Sequence, residues 1–287
     1  MTVDKIAANI RFNLRAIPEC IVMLRPLPVF LVILWLGTLP ARAHEFWIEP
    51  SGYQVDIGQL LVADLRNGQE FDGVIHAYFE KRTDRFDLLQ NGKTTAYSGR
   101  MGDVPALQTR PDADGLLTVV YQSAPQRLTY ESWDKFAAFA AHKDFPDIRA
   151  RHLLRGLPDS GFSEIYTRYT KSLIAVGDGR GADAVTGMET EFVALANPYT
   201  DEISNGLPVQ LLYQASPRGD AQVEIFDRAA NGTVTITLTR TDAQGRATIP
   251  VTSGHSYLID AVVLREAPPD DSAVWQSLWA AMTFAVP

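Results

Sequence analysis

From residue 191 to the C-terminus, the sequence is a succession of short β segments separated by turn residues. The segments span 191–196, 208–213, 222–227, 233–239, 246–251, 257–264 and 278–286. Seven segments of this kind in about 100 residues, joined by polar turns such as 242–245, are typical of a β-sandwich. We therefore predict that residues 188–287 form an immunoglobulin-like or transthyretin-like sandwich.

The region that precedes this sandwich also has the pattern of a β protein. Residues 46–130 read as short strands separated by turns: apolar and polar positions alternate at 53–57 and 61–65, and Asn91-Gly92 stands between two further runs as a hairpin turn. The run 115–122 (GLLTVVYQ) is mainly apolar, which indicates a buried strand. The prediction is a mainly β chain with two β-sandwich-like domains, of which the first covers residues 44–180.

A change of period interrupts the first domain between residues 131 and 175. Aromatic and apolar residues recur at helical spacing from Trp133 to Ala141 and again from Phe162 to Leu173. Between these two runs, Pro146 opens a short helical segment that ends before Gly156. We predict a helical insert over residues 131–175, followed by a glycine-rich linker at 177–187.

The N-terminus has the features of a secretory signal peptide. An apolar core at 26–39 follows Arg25, and Ala41-Arg42-Ala43 supplies the small residues that signal peptidase requires. This core is shorter than the roughly 20 residues of a spanning helix, and no other segment is long and apolar enough, so we expect no membrane span in the mature chain. Cleavage after Ala43 would release a periplasmic protein that begins at His44. We expect residues 1–22 to be an upstream extension, with translation starting at Met23.

Charge and cysteine content restrict the possible partners of the mature protein. The only cysteine is Cys20, within the leader, so any metal must be held by nitrogen or oxygen ligands. The leader holds five of the 26 basic residues and two of the 34 acidic ones, which lowers the net charge of the mature chain to −11. Such a surface disfavours nucleic acid and anionic lipid and is compatible with gathering cations. Solubility alone is the alternative explanation of this charge.

Three histidines are candidate metal ligands. At a mature N-terminus, His44 offers an imidazole and a free α-amine to the same ion, and nitrogen donors of this kind suit copper and nickel. His142 and His152 lie in the predicted insert, where the turn at Phe145-Pro146 could bring them together, and we expect one of them to close the site at His44. A purely structural role, such as His142 closing a helix C-terminus, is the alternative for each of these two.

The mature sequence resembles the periplasmic family called domain of unknown function 4198. The similar blocks are 44–50 (HEFWIEP), 164–171 (EIYTRYTK), 197–199 (NPY), 241–245 (TDAQG) and 275–279 (WQSLW). Some members are associated with nickel and cobalt uptake beside an energy-coupled transporter. The resemblance implies a divalent metal bound at His44 and a membrane metal transporter as a partner.

These observations predict a periplasmic protein that captures or delivers nickel, cobalt or copper through His44, His142 and His152. No hydrolytic motif or phosphate-binding loop stands out, so we favour a binding protein over an enzyme. One alternative is a copper oxidase-type enzyme that uses the same N-terminal histidine. The other is a metal-free module that docks a surface partner.

Overall fold

A computed structural model describes residues 44–269 and 271–287, so the predicted signal peptide lies outside the described residues. The strands are β1 (Glu45–Pro50), β2 (Gln54–Val55), β3 (Leu61–Gln69), β4 (Asp72–His76), β5 (Thr83–Gln90), β6 (Lys93–Ala96), β7 (Leu107–Thr109), β8 (Gly115–Ser123), β9 (Gln126–Tyr130), β10 (Phe162–Val176), β11 (Thr190–Ala194), β12 (Leu207–Tyr213), β13 (Ser216–Pro217), β14 (Gln222–Arg228), β15 (Val234–Arg240), β16 (Arg246–Ile249), β17 (Ser256–Glu266) and β18 (Trp275–Ala285). The helices are α1 (Trp133–His142), α2 (Ile148–Leu154) and a 3-10 turn at Glu80–Arg82. The mainly β prediction is confirmed.

The strands form three sheets, and the largest one connects the two halves of the chain. Its strand order is β15-β14-β17-β18-β10-β8-β5-β6, with β2 and β9 also paired to β10. A second sheet joins β1, β3, β4 and β7, and a third joins β11, β12, β13 and β16. Strands from both predicted domains therefore share one sheet, with β10 and β18 running parallel at the junction.

The two largest apolar clusters among the described residues lie against this large sheet. One packs residues of the third sheet, such as Phe192 and Leu211, against Ile259 and Met282. The other packs residues of the second sheet, such as Ile48 and Leu65, with residues of β5, β8 and β10. The cores resemble two sandwiches that share a central sheet, and the predicted domain boundary at 180–188 stays a prediction.

The helical insert is shorter than the sequence pattern indicates. Helices α1 and α2 form where they were predicted, and Gly156 follows α2 with a positive φ of 62°. The predicted helix from Phe162 to Leu173 is wrong, because these residues belong to strand β10. This strand pairs with β18 on one edge and with β8 and β9 on the other, and most of its side chains are buried. No helix in the described ranges is long and apolar enough to cross a bilayer.

The predicted hairpin at Asn91-Gly92 joins β5 to β6, and both turn residues have a positive φ, 51° and 74°. A methyl group at Gly92 would meet no atom within 4 Å, so Gly92→Ala tests the backbone conformation alone. We expect the free energy of unfolding in urea to fall by about 1–2 kcal/mol. The control is Gly52→Ala, whose methyl group would lie 3.6 Å from the Gln54 carbonyl oxygen at a φ that is not positive. Equal losses in both variants would contradict the prediction.

Candidate metal centre

Three buried carboxylates surround one buried lysine on the side of the large sheet that carries α1. The Lys143 ammonium lies 2.6 Å from Glu224 Oε2, 2.8 Å from Asp260 Oδ2 and 3.1 Å from Glu45 Oε1. Each of the four side chains is at most 5% exposed. Because burial of a charge is costly unless it is paired, this cluster is a feature that the fold specifically maintains.

Strand register and a helix end bring these groups together. Glu224 of β14 and Asp260 of β17 are register partners on neighbouring antiparallel strands, so their side chains share one face of the sheet. Glu45 is the first residue of β1. Lys143 follows the last residue of α1, and the chain then turns at Asp144, whose φ is 66°. The turn closes with a hydrogen bond from the Phe145 amide to the Ala140 carbonyl, which is the Schellman arrangement.

His142 completes a set of candidate metal ligands beside this lysine. Its Nε2 lies 3.2 Å from Glu224 Oε1, and one ligand atom from each of Glu45, His142 and Glu224 lies within 4.8 Å of the others. These three residues contribute to the lining of a cavity of about 10 Å³. That volume is roughly the space for one water-sized body, so a single ion would fit. Imidazole and carboxylate groups together suit first-row divalent metals.

The charges of the cluster favour an additional cation. Three carboxylates face one ammonium within salt-bridge distance, and the Arg168 charge also acts on Asp260 and Glu45, which leaves one negative charge unbalanced if all of them ionise. Burial raises the pKa of Glu45 to about 7, against the effect of the Lys143 charge. Burial also raises the pKa of Asp260. For Glu224, burial is outweighed by the hydrogen bond from His142 and the charge of Lys143, which lower its pKa to about 2.

Of the three predicted ligands, the structure places only His142 in the set of Glu45, His142 and Glu224. His44 is exposed and directly precedes Glu45. His152 is fully buried among aromatic rings: its Nδ1 accepts a hydrogen bond from Trp275 Nε1, and its Nε2 lies 3.0 Å from the Pro158 carbonyl oxygen. Because both of its nitrogens have partners, His152 could bind a metal only by giving up one of these bonds.

Sequence reasoning missed the carboxylates and Lys143. The sequence did carry a signal for two of the carboxylates, because Glu224 and Asp260 each interrupt an apolar strand. Buried acids are rare unless they are paired, so an acid in such a strand indicates a partner. Glu45 stands in the first block of the family resemblance, where only His44 was singled out. Lys143 carried no signal of its own, because a lysine that follows a helix is ordinarily a solvated residue.

Comparison with known proteins gives the family and little else. No curated protein matched the chain. A tetra-tandem repeat from the extending region of a large adhesion protein matched at 11% identity with a TM-score of 0.19, over 84% of this chain and 49% of that one. This chain therefore spans about half of that repeat structure. The D0-D1 domain of Intimin matched at 12% identity with a TM-score of 0.19, over 83% of this chain and 97% of that one.

A DUF3823 family protein from Bacteroides uniformis ATCC 8492 matched at 13% identity with a TM-score of 0.20, over 85% of this chain and 99% of that one. At such TM-scores none of the three structures carries an argument about fold or function. The family comparison is different, because the match to "Domain of unknown function (DUF4198)" extends over residues 41–265. It confirms the resemblance found in the sequence, and the chain belongs to the DUF4198 family.

Proposed function

We propose that this protein is a periplasmic metal-binding protein that captures or delivers a divalent nickel, cobalt or copper ion. The proposed ligands are Glu45, His142 and Glu224, with the imidazole and α-amine of His44 added after signal peptide cleavage. The observation that carries the proposal is the convergence of three donor groups on an ion-sized cavity. In this proposal Lys143 is not a ligand; it holds one oxygen of each glutamate and so orients both carboxylates.

The proposal is tested by calorimetric titration of the mature chain with Ni(II), Co(II) and Cu(II). At least one of these ions should bind with one-to-one stoichiometry. His142→Ala should weaken that binding by about 100-fold or more, since loss of even an outer-shell partner costs roughly 10–100-fold. The matched control is His255→Ala, because His255 also contacts a carboxylate, with Nδ1 2.6 Å from Asp227 Oδ1. The control should bind like the wild type; equal losses in both variants, or no binding by the wild type, would reject the site.

The contribution of the N-terminus is tested by a chain in which residues precede His44. This extension leaves the imidazole in place but converts the α-amine to an amide, so it should lose most of the affinity, as should His44→Ala. Mass spectrometry of protein taken from the periplasm should show a chain that begins at His44. If the extended chain binds as tightly as the mature one, the amine–imidazole chelate is wrong, and the set of Glu45, His142 and Glu224 is sufficient.

A further inference from the structure

A second cavity, of about 140 Å³, is lined by residues of both the four-stranded sheet with β1, β3 and β4 and the ten-stranded sheet. Phe46 of β1, Tyr121 of β8 and Tyr166 of β10 contribute aromatic rings to its wall, and the rings of Phe46 and Tyr121 stack 5.4 Å apart. An engineered cavity of about 150 Å³ with apolar walls holds benzene. This cavity therefore has room for one small planar ring.

Three buried polar atoms of the residues that line this cavity have no hydrogen-bond partner. They are Asn67 Oδ1, His76 Nε2 and Arg168 Nη1. Buried polar atoms are bonded in the great majority of cases, and each one left without a partner costs about 1–3 kcal/mol. A ligand with polar groups in this cavity would give these three atoms hydrogen-bond partners.

The charges around the cavity favour an anion. Arg168 stacks on the Trp279 ring at 3.9 Å, and Arg82 lies over Phe79 in the same lining. None of the described residues that line the cavity is acidic, and the acids whose charges act on Arg168, which are Asp260, Glu45 and Glu164, lie outside the lining. Guanidinium groups present parallel donors that match the two oxygens of a carboxylate. The aromatic rings beside them would be left uncovered by a free inorganic anion such as phosphate.

The other two unpartnered atoms define what the ligand carries besides its carboxylate. Asn67 Oδ1 only accepts hydrogen bonds, so it requires a donor such as a hydroxyl or amine. Burial and the nearby charge of Arg82 lower the pKa of His76, which therefore adds no positive charge near neutral pH. Its Nε2 is able to donate or accept, depending on the tautomer.

We propose that this cavity binds a small aromatic carboxylate that also carries a hydrogen-bond donor, with Arg168 as the partner of the carboxylate. The cavity is separate from the candidate metal centre. Glu45 reaches the centre and Phe46 reaches the cavity, and successive side chains of a strand such as β1 point to opposite faces. The two proposals therefore concern different ligands and different lining residues, while the charge of Arg168 also acts on Asp260 and Glu45 of the centre.

The test uses 4-hydroxybenzoate as the probe, with 4-hydroxybenzamide as its uncharged counterpart. Calorimetry on the whole mature protein should show saturable one-to-one binding of the acid at millimolar or lower concentration. The amide should bind about tenfold or more weakly, because a hydrogen bond to a charged group contributes about 1.5–3 kcal/mol. Absence of saturable binding by the acid, or equal affinity for acid and amide, would overturn the proposal.

Two variants locate the binding. Arg168→Gln should weaken 4-hydroxybenzoate binding by about tenfold or more. The control Arg149→Gln should leave the affinity unchanged, although Arg149 also stacks on a tryptophan, with its guanidinium 4.5 Å from the Trp133 ring. If Arg168→Gln does not fold, Ala77→Leu fills the cavity without removing a charge and should abolish binding. Unchanged affinity in whichever cavity variant folds would overturn the assignment.

Discussion

A Lys143→Met variant is expected to lose about 3–5 kcal/mol of unfolding free energy at pH 8, because removal of one partner leaves buried charges uncompensated. The ammonium is the shared partner of Glu45, Glu224 and Asp260. If a divalent ion binds beside it, that ion supplies the missing positive charge. Saturating metal should therefore stabilise this variant by more than it stabilises the wild type, as measured by urea denaturation with and without the ion.

The same variant should have a characteristic pH dependence in the absence of metal. Burial already raises the pKa of Glu45 to about 7. The charge of Lys143 lowers the pKa values of Glu45 and Asp260, so the loss of this charge should raise both pKa values further. An acid whose pKa is higher in the folded state keeps its proton on folding. Its contribution to stability is complete below the unfolded-state pKa and is lost as the pH rises through the folded-state value. The loss in Lys143→Met should therefore be smaller at pH 5 than at pH 8.

The control for metal stabilisation is the double variant Lys143→Met, His142→Ala. It lacks one proposed ligand, so metal should restore much less of its stability than it restores in Lys143→Met. Equal stabilisation of the single and double variants would show that the ion acts elsewhere. A loss at pH 8 below about 1 kcal/mol would show that the three carboxylates find other partners.

Lys171→Met is expected to lose a similar 3–5 kcal/mol, with no recovery when metal is added. Lys171 is fully buried, and its ammonium lies 3.0 Å from Asp183 Oδ2 and 3.4 Å from Glu191 Oε2. It also donates to the carbonyl oxygens of Ala184 and Phe192. This lysine therefore attaches the irregular segment 177–189 to strand β10. Its removal would leave Asp183 and Glu191 without their positive counter-charge, although backbone amides and hydroxyl groups still donate to both carboxylates. The two carbonyl oxygens would lose the hydrogen bond from the ammonium.

The comparison of these two lysines separates a structural ion cluster from a metal centre. Both are buried among carboxylates, but the described surroundings of Lys171 include no histidine within salt-bridge distance of Asp183 or Glu191. Lys135→Met, at an exposed position of α1, controls for loss of a lysine and should change stability by no more than about 0.5 kcal/mol. If metal stabilised Lys171→Met as much as it stabilised Lys143→Met, the assignment of the metal centre to His142 would be wrong.

Local features of the fold could be predicted from sequence wherever one segment carried a complete signal. The Asn91-Gly92 turn needs two residues with positive φ, which few residue types adopt, and it formed as predicted. The seven segments after residue 190 all became strands, because each alternates or is apolar between turn residues. Helix α1 followed from the spacing of its apolar residues in the same way.

The segment 162–176 shows where this reasoning fails. In a strand with both faces covered, apolar side chains occupy nearly every position, so the period of two disappears from the sequence. The aromatic residues of 162–169 then matched a helical spacing by coincidence. What made β10 a strand was pairing with β8, β9 and β18, whose residues lie far from it in the chain.

The sequence by itself determined that the protein is mainly β, that it belongs to the DUF4198 family and that His142 is a candidate ligand. Only the tertiary structure decided which groups stand beside His142. Lys143 lies 98 residues from Glu45, 81 from Glu224 and 117 from Asp260 in the chain. No local pattern links such distant positions, because their approach depends on strand register and on where α1 ends against the sheet. The physical reason is that elements such as α1 and the Asn91-Gly92 turn follow from short-range sterics and burial, whereas strand β10 and the buried cluster of charges exist only when the whole fold assembles their partners.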